Sequence, residues 1–253
     1  MRHMLAHIGC SLVAFAALPG SRPAAEPLLL VPGERVIVQC SFVPCAGIRH
    51  LHACLVGTPS GLHYAYDFET GTAFMVWRGG FADMSKVWIG AGLDQVVEPA
   101  GHVTVITTRP SFAFFPNRLF SLPSGWPERP EPLYRSHGYE LERDGQPVFL
   151  ASLEKLEIRD RIAPTADKRG LERSLVFSGS LSPWETWLML GEARTFSEVD
   201  DGWVAEGGVW SIEWPVDAEV RPLVRTEGDR QLLAVRLESV HLRVPVRYRL
   251  LWK

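Results

Sequence analysis

GLHYAYDFETGTAFMVWRGGFAD, residues 61–83, is the stretch whose reading decides the fold. Two apolar, aromatic runs, Leu62–Asp67 and residues 72–78, flank the tetrad Phe68-Glu69-Thr70-Gly71, and the glycine supplies the positive φ that a tight reversal requires. The stretch is a β-hairpin. With Asp67 opposite Thr72, strict alternation puts Leu62, Tyr64, Tyr66, Ala73, Met75 and Trp77 on one face and His63, Ala65, Phe74, Val76 and Arg78 on the other. Both faces are at least half apolar, which suits the interior of a packed sheet better than its edge, and Trp77 belongs to the core.

The same signals recur outward from this hairpin. Upstream, RVIVQCSFV (35–43) and residues 49–56 read as strands. Downstream, Gly79-Gly80 breaks the second hairpin strand, residues 81–102 look irregular, and HVTVITT (102–108) is β-branched. Six prolines between 110 and 132 forbid a helix or central strand there, so 109–133 is a long surface excursion, either a binding loop or an ordered wrap whose phenylalanines are buried over a sheet edge. Asp144-Gly145 marks a second hairpin, and alternating runs continue through 155–162 and 171–178. Residues 184–190 read as a strand or one short helix. Residues 231–240 and 242–252 end the chain in a sheet.

No segment shows sustained 3.6-residue periodicity. Some fourteen short strands therefore make an all-β chain, a single antiparallel β-sandwich of supersandwich type with little helix, covering 26–253. A β-propeller is excluded because the hairpin motif does not repeat at the ~40-residue period of blades. The 253 residues suffice for one large β domain, and nine tryptophans suit a bulky β core. A net charge of −3 gives no electrostatic reason to expect a nucleic-acid partner.

The first residues read as an export signal, 1–25. Arg2 and His3 precede an apolar run over 8–18 that is too short to span a bilayer, and cleavage is expected near Glu26. No later stretch is long and apolar enough for a membrane span, so a secreted or periplasmic protein is expected. In such a compartment one disulfide is expected among Cys40, Cys45 and Cys54, with either Cys40 or Cys45 partnering Cys54, against the equal alternative of three buried thiols.

The order of Arg49, the turn at 57–61, Asp67, Trp77-x-Gly79-x-Phe81-x-Asp83, Trp88 and Gly90-Ala91-Gly92 resembles an uncharacterised β-rich domain of secreted bacterial proteins. Gly138-Tyr139-x-Leu141, Gly145-x-Pro147-x-Phe149, Ile158-x-Asp160 and Gly170-Leu171-x-Arg173 extend the likeness over most of 33–180. That domain often accompanies c-type cytochrome modules and sugar-dehydrogenase-like propellers, so the resemblance implies a context of extracellular sugar oxidation and a cytochrome or dehydrogenase protein partner. The haem signature Cys-x-x-Cys-His is absent from this chain, and no cofactor is expected.

His50-x-His52-x-Cys54 places three metal-ligand types on one strand face, but they spread over ~13 Å at ~3.3 Å per residue, so no metal site is expected without His102 or His241. Gly-x-Ser-x-Gly, phosphate loops and dinucleotide fingerprints are missing. Carboxylates for acid–base chemistry on sugars are available at Asp67, Asp83, Asp94 and Glu98, and near tryptophans at Glu185, Glu206 and Glu213. A polysaccharide or sugar ligand requires exposed aromatic faces with polar neighbours, and the candidate ligand-binding set is Trp88, Trp126, Trp184 and Trp187 with Asp83. The expected function is a non-catalytic binding or assembly module related to carbohydrate. The alternatives are a carbohydrate-active hydrolase, lyase or epimerase using an Asp/Glu pair, and a structural subunit that pairs through an uncovered terminal strand at 242–252.

Overall fold

The computed structural model of the chain describes residues 27–87, 95–115 and 125–253, so the expected export signal lies outside the described residues. These form an all-β, sandwich-like structure in which every strand ladder is antiparallel and helix is limited to two short 3-10 segments. The first strands are β1 (Leu29–Leu30), β2 (Ile37–Cys45), β3 (Ile48–Gly57), β4 (Leu62–Asp67), β5 (Thr72–Asp83) and β6 (Glu98–Val105). There follow β7 (Phe112–Phe115), β8 (Tyr134–Leu141), β9 (Pro147–Leu153), β10 (Leu156–Pro164), β11 (Gly170–Gly179) and β12 (Glu185–Ala193). The last six are β13 (Phe196–Val199), β14 (Gly202–Ala205), β15 (Trp210–Glu213), β16 (Leu223–Glu227), β17 (Arg230–Arg236) and β18 (Val246–Trp252).

Three sheets result. One is β1-β5-β4-β3-β2 with β6 also on β5, the second is β13-β14-β15-β18-β11-β10-β9-β8, and the third is β16-β17-β12-β7. The terminal strand β18 sits between β15 and β11, which overturns the expectation of an uncovered strand at 242–252. Of the run 184–190, residues 185–190 are strand, within β12. The β-branched stretch expected at 102–108 begins earlier, at Glu98, because β5 does not stop at Gly79-Gly80 but bulges through them to Asp83 and keeps pairing with β6.

The reversal that opens the sheet pattern is closed as the residue types require. Gly71 takes φ +66, its N–H donates to Asp67 O (2.9 Å), and the Asp67 carboxylate accepts from Glu69 N–H (2.9 Å) and Thr70 Oγ1 (3.1 Å). A Cβ on Gly71 would also lie 2.6 Å from the Tyr134 hydroxyl. Asp67 pairs with Thr72, yet the faces assigned from Met75 to Arg78 need correction. A bulge between Ala65 and Tyr66 lets Ala65 face Met75 while Tyr66 faces Ala73, so Phe74 is the extra residue. A one-residue slip moves every later side chain to the opposite face. Met75 and Trp77 therefore join Phe74 and Ala65 on the outer side of the sheet, and Val76 joins Tyr64 and Tyr66 on the inner side.

Both sides are nonetheless buried. The first sheet curls until β2 meets the lead-in to β6, where Phe42 N–H donates to Gln95 O (3.3 Å) and Val97 N–H to Phe42 O (3.1 Å) in a parallel bridge. The enclosed side holds Phe74, Met75, Trp77, Phe81 and Val97. Trp77 has no solvent exposure, and its indole N–H donates to Gly80 O and Phe81 O, each at 3.0 Å. His63 shares this interior: Thr58 N–H donates to its Nδ1 (3.2 Å), so Nε2 carries the proton and donates to Gly79 O (2.9 Å). The inner side packs Tyr64, Tyr66 and Val76 against Phe149, Ile158 and Leu175 of the second sheet and Leu188, Leu190 and Leu233 of the third, in one core.

At the meeting point of the three sheets lies a buried ion pair. Arg173 Nε donates to both Asp160 oxygens (3.0 and 3.1 Å), and Nη2 to Asp160 Oδ2 (2.6 Å). The remaining donors reach Tyr248 OH (3.1 Å), Gly71 O (3.2 Å) and Ser111 Oγ (3.4 Å), so one guanidinium ties β10, β11 and β18 to the first hairpin turn and to the segment entering β7. Burial, the largest single influence, works against its charge, but Asp160 together with Tyr248 and Tyr66 outweighs it and keeps the Arg173 pKa above its ordinary value.

Two measurements test this arrangement. Arg173→Met leaves Asp160 charged in the core and is expected to lower unfolding free energy by about 3–5 kcal/mol, while Arg173→Met with Asp160→Leu recovers much of the loss; denaturant titration of the three proteins reads the difference. Burial lowers the His63 pKa below its ordinary 6.5, so the folded state takes up that proton less readily than the unfolded chain. The linked stability is present above pH 6.5 and is lost as pH falls through the folded pKa. NMR titration of the His63 ring should accordingly show it neutral at a pH where the urea-unfolded chain is already protonated.

Candidate functional site

The expected ligand-binding tryptophans divide. Trp88 lies outside the described residues. Trp126 is 3% exposed and donates its indole N–H to Pro110 O (2.9 Å), and Trp187, 1% exposed, donates to Glu185 Oε2 (3.2 Å). The structure does bring these two together, but inside a core with Ala113, Met189, Leu232 and Ala234, so neither offers a stacking face. The cause is the proline-rich excursion, whose described part wraps the third sheet. Glu227 accepts Gly125 N–H (2.8 Å) and Trp126 N–H (3.2 Å), and Glu131 accepts the N–H of Phe114 on the edge strand β7 (2.7 Å). Of the described tryptophans of the set, Trp184 is the one placed in solvent, 53% exposed at the entrance to β12.

Asp83 closes β5 as a turn cap. Its carboxylate accepts Ser85 Oγ (2.5 Å) and Ser85 N–H (2.8 Å), and those bonds hold its pKa below the usual carboxylate value. It stands in the first sheet, on different strands from Trp126, Trp184 and Trp187 in and beside the third. Glu98 pairs with Lys86 (2.6 Å), and Asp94 lies outside the described residues.

The constellation His50-x-His52-x-Cys54 is dispersed by a bulge. Ser41 faces Ala53 while Val43 faces His50, which interrupts the alternation through Leu51 and His52. His50 is buried, stacked on Phe74 at 3.9 Å, with Nδ1 on Asp67 Oδ2 (2.9 Å); His52 is exposed; Cys54 points into the inner core. The expected disulfide is not formed either. Cys40 and Cys54 are cross-strand partners, but all three cysteines are free thiols with none at bonding distance, and burial pushes the Cys45 thiol up to about 11.

The buried carboxylates have structural duties. Asp67 holds His50 and the hairpin turn, and Asp160 holds Arg173. Glu185 pairs with Arg236 (3.2 Å) and Trp187, and Glu192 accepts Thr107 Oγ1 (2.9 Å) and pairs with Arg230 (3.2 Å) and Arg109 (3.6 Å). None of these four lines either surface cleft formed around β15 and β18.

Those clefts occupy opposite ends of the two strands. One, of about 340 Å³, is bounded by Glu172, Asp201, Glu213, Trp214, Arg247 and Arg249. There Arg249 stands between Glu213 (3.6 Å) and Glu172 (3.8 Å). The other, of about 370 Å³, lies where β5 meets the second sheet, between Arg78, Lys168, Arg169, Trp210, Trp252 and Lys253. The Arg78 guanidinium lies 4.9 Å above the Trp252 ring and donates to the carbonyls of Trp252 (3.2 Å), Lys168 (3.5 Å) and Arg169. Sequence reasoning missed this second cleft. Its one local signal is the pair Lys168-Arg169 in the turn before Gly170, whereas Arg78 and Lys253 come from far along the chain.

No protein-family model matches the chain, and no curated protein sequence matches it.

The division of the tryptophans can be checked by stability. Trp126→Ala and Trp187→Ala are expected to cost about 3–5 kcal/mol each through cavity formation, and Trp184→Ala less than about 0.5 kcal/mol, as read by urea unfolding.

Proposed function

We propose that this chain is an exported, non-catalytic binding or assembly module whose ligand is a carbohydrate. The observation that supports binding over catalysis is the use made of its acids: the four buried carboxylates are each held by a cation or a donor within the fold, while the clefts around β15 and β18 carry charged side chains at the surface over tryptophans that belong to the core. Charged side chains of that kind recognise hydroxylated ligands by hydrogen bonding without any bond being broken. Export rests on the amino-terminal pattern of residues 1–25. Docking beside a cytochrome or dehydrogenase rests on the family resemblance over 33–180.

A second reading, a carbohydrate-active enzyme, is favoured by one feature, the meeting of Glu172, Asp201 and Glu213 beside Trp214 in a single cleft. Acid–base work on a glycosidic bond needs one carboxyl kept protonated by desolvation, and here Arg249 stands between two partly exposed acids.

Thermal-shift titration against neutral and charged polysaccharide fragments, run beside a reducing-end assay, separates the readings. A binder shows a Tm rise without new reducing ends. Reducing-end release that Glu213→Gln abolishes would replace binding by catalysis. A flat response to every fragment removes the carbohydrate reading.

A further inference from the structure

We infer that the cleft between Arg78, Lys168, Arg169 and Lys253 is an anion-binding site, and that the carbohydrate it takes bears sulfate or carboxylate groups. The carbohydrate half of this statement rests on the proposed function; the anion half rests on the cleft. Four cationic side chains line it and no carboxylate does. Among the described residues none of the four forms an ion pair, although most arginines on the neighbouring strands do. The nearby acid of the same turn, Asp167, is taken up locally, accepting Thr165 Oγ1 (2.5 Å) and Arg169 N–H (3.0 Å).

Arg78 is positioned rather than neutralised. Its hydrogen bonds go to backbone carbonyls, which fix the guanidinium without cancelling its charge, and the Trp252 ring beneath it adds cation–π attraction. Trp252 also carries a buried indole N–H that meets no acceptor. Lys168, Arg169 and Lys253 are exposed around this anchored charge and free to close on a ligand. Like charges gathered without an ion-paired acid among the lining residues raise the local potential and draw an anion. A planar guanidinium suits the oxygens of a sulfate or carboxylate.

The test pairs one polymer in two charge states, dextran and dextran sulfate, with inorganic sulfate as the free anion, against wild type and the triple variant Lys168→Gln/Arg169→Gln/Lys253→Gln. The substituted residues are exposed, and circular dichroism and Tm without ligand verify the fold. Dextran sulfate is expected to bind wild type, to weaken as salt rises, and to bind the triple variant roughly tenfold less tightly or worse. If dextran sulfate binds both proteins equally, or if neither dextran sulfate nor inorganic sulfate distinguishes wild type from the variant, the anion site is overturned, while binding of dextran alone would leave the carbohydrate reading standing. If inorganic sulfate raises the Tm of wild type but not of the variant and neither polymer binds, the anion site holds and the carbohydrate reading falls.

Discussion

The structure depends on one buried ion pair, Arg173 with Asp160. Three sheets converge there, and each could bury its own apolar face in more than one relative orientation, because hydrophobic contact is non-directional. A guanidinium has five donors in a fixed plane and must place all of them when it is out of water. Each nitrogen of Arg173 finds an acceptor, and the ones beyond Asp160 are present only when the first hairpin turn offers Gly71 O, the segment entering β7 offers Ser111 and β18 offers Tyr248. A displaced sheet would strand a charge in the core. The pair thus selects one packing from several that the apolar residues alone would tolerate, at the cost of desolvating two charges.

Register, more than composition, sets what each side chain does. Bulges at Ala65/Tyr66, at Ser41/Val43 and between Gly79 and Ala82 each insert one or more unpaired residues, sharpening the twist that lets the first sheet curl until β2 reaches the approach to β6. The same insertions reassign faces. Trp77 and Met75 leave the side of the tyrosines and fill the curled interior instead, and His50 parts from Cys54. A potential cluster of metal-ligating residues becomes a stacked, hydrogen-bonded core histidine on one side and a buried thiol on the other.

Charge is distributed by the same logic. Buried acids are matched one by one with cations or donors, as low-dielectric surroundings demand, so their chemistry is spent on holding strands together. Along the outer face of the second sheet, acids and arginines alternate in pairs such as Arg159 with Glu140 and Arg161 with Glu142. The pattern changes at the end of β18, where the cations around Trp252 have no acid opposite them. Binding at that end of the molecule is consistent with a protein whose overall charge is slightly negative, since it is the local field and not the total that an anion meets.

The amino-acid sequence by itself determined the β character of the chain, the two reversals at Gly71 and Gly145, the burial of Trp77 and the exclusion of helix and central strand from the described part of the proline-rich stretch. All of these follow from local chemistry: alternation with period two, the φ that glycine permits, the N–H that proline lacks. Exposure of the tryptophans was not legible, because Trp126 and Trp187 look the same in sequence as Trp184 until the wrap is laid over the third sheet. Bulges were not legible either, since one extra residue leaves the apolar count unchanged while reversing the faces beyond it. Only the tertiary structure decided which charges meet. Arg78, Lys168 and Lys253 lie far apart along the chain, and their grouping depends on how the first sheet docks against the second, a relation that no local pattern encodes.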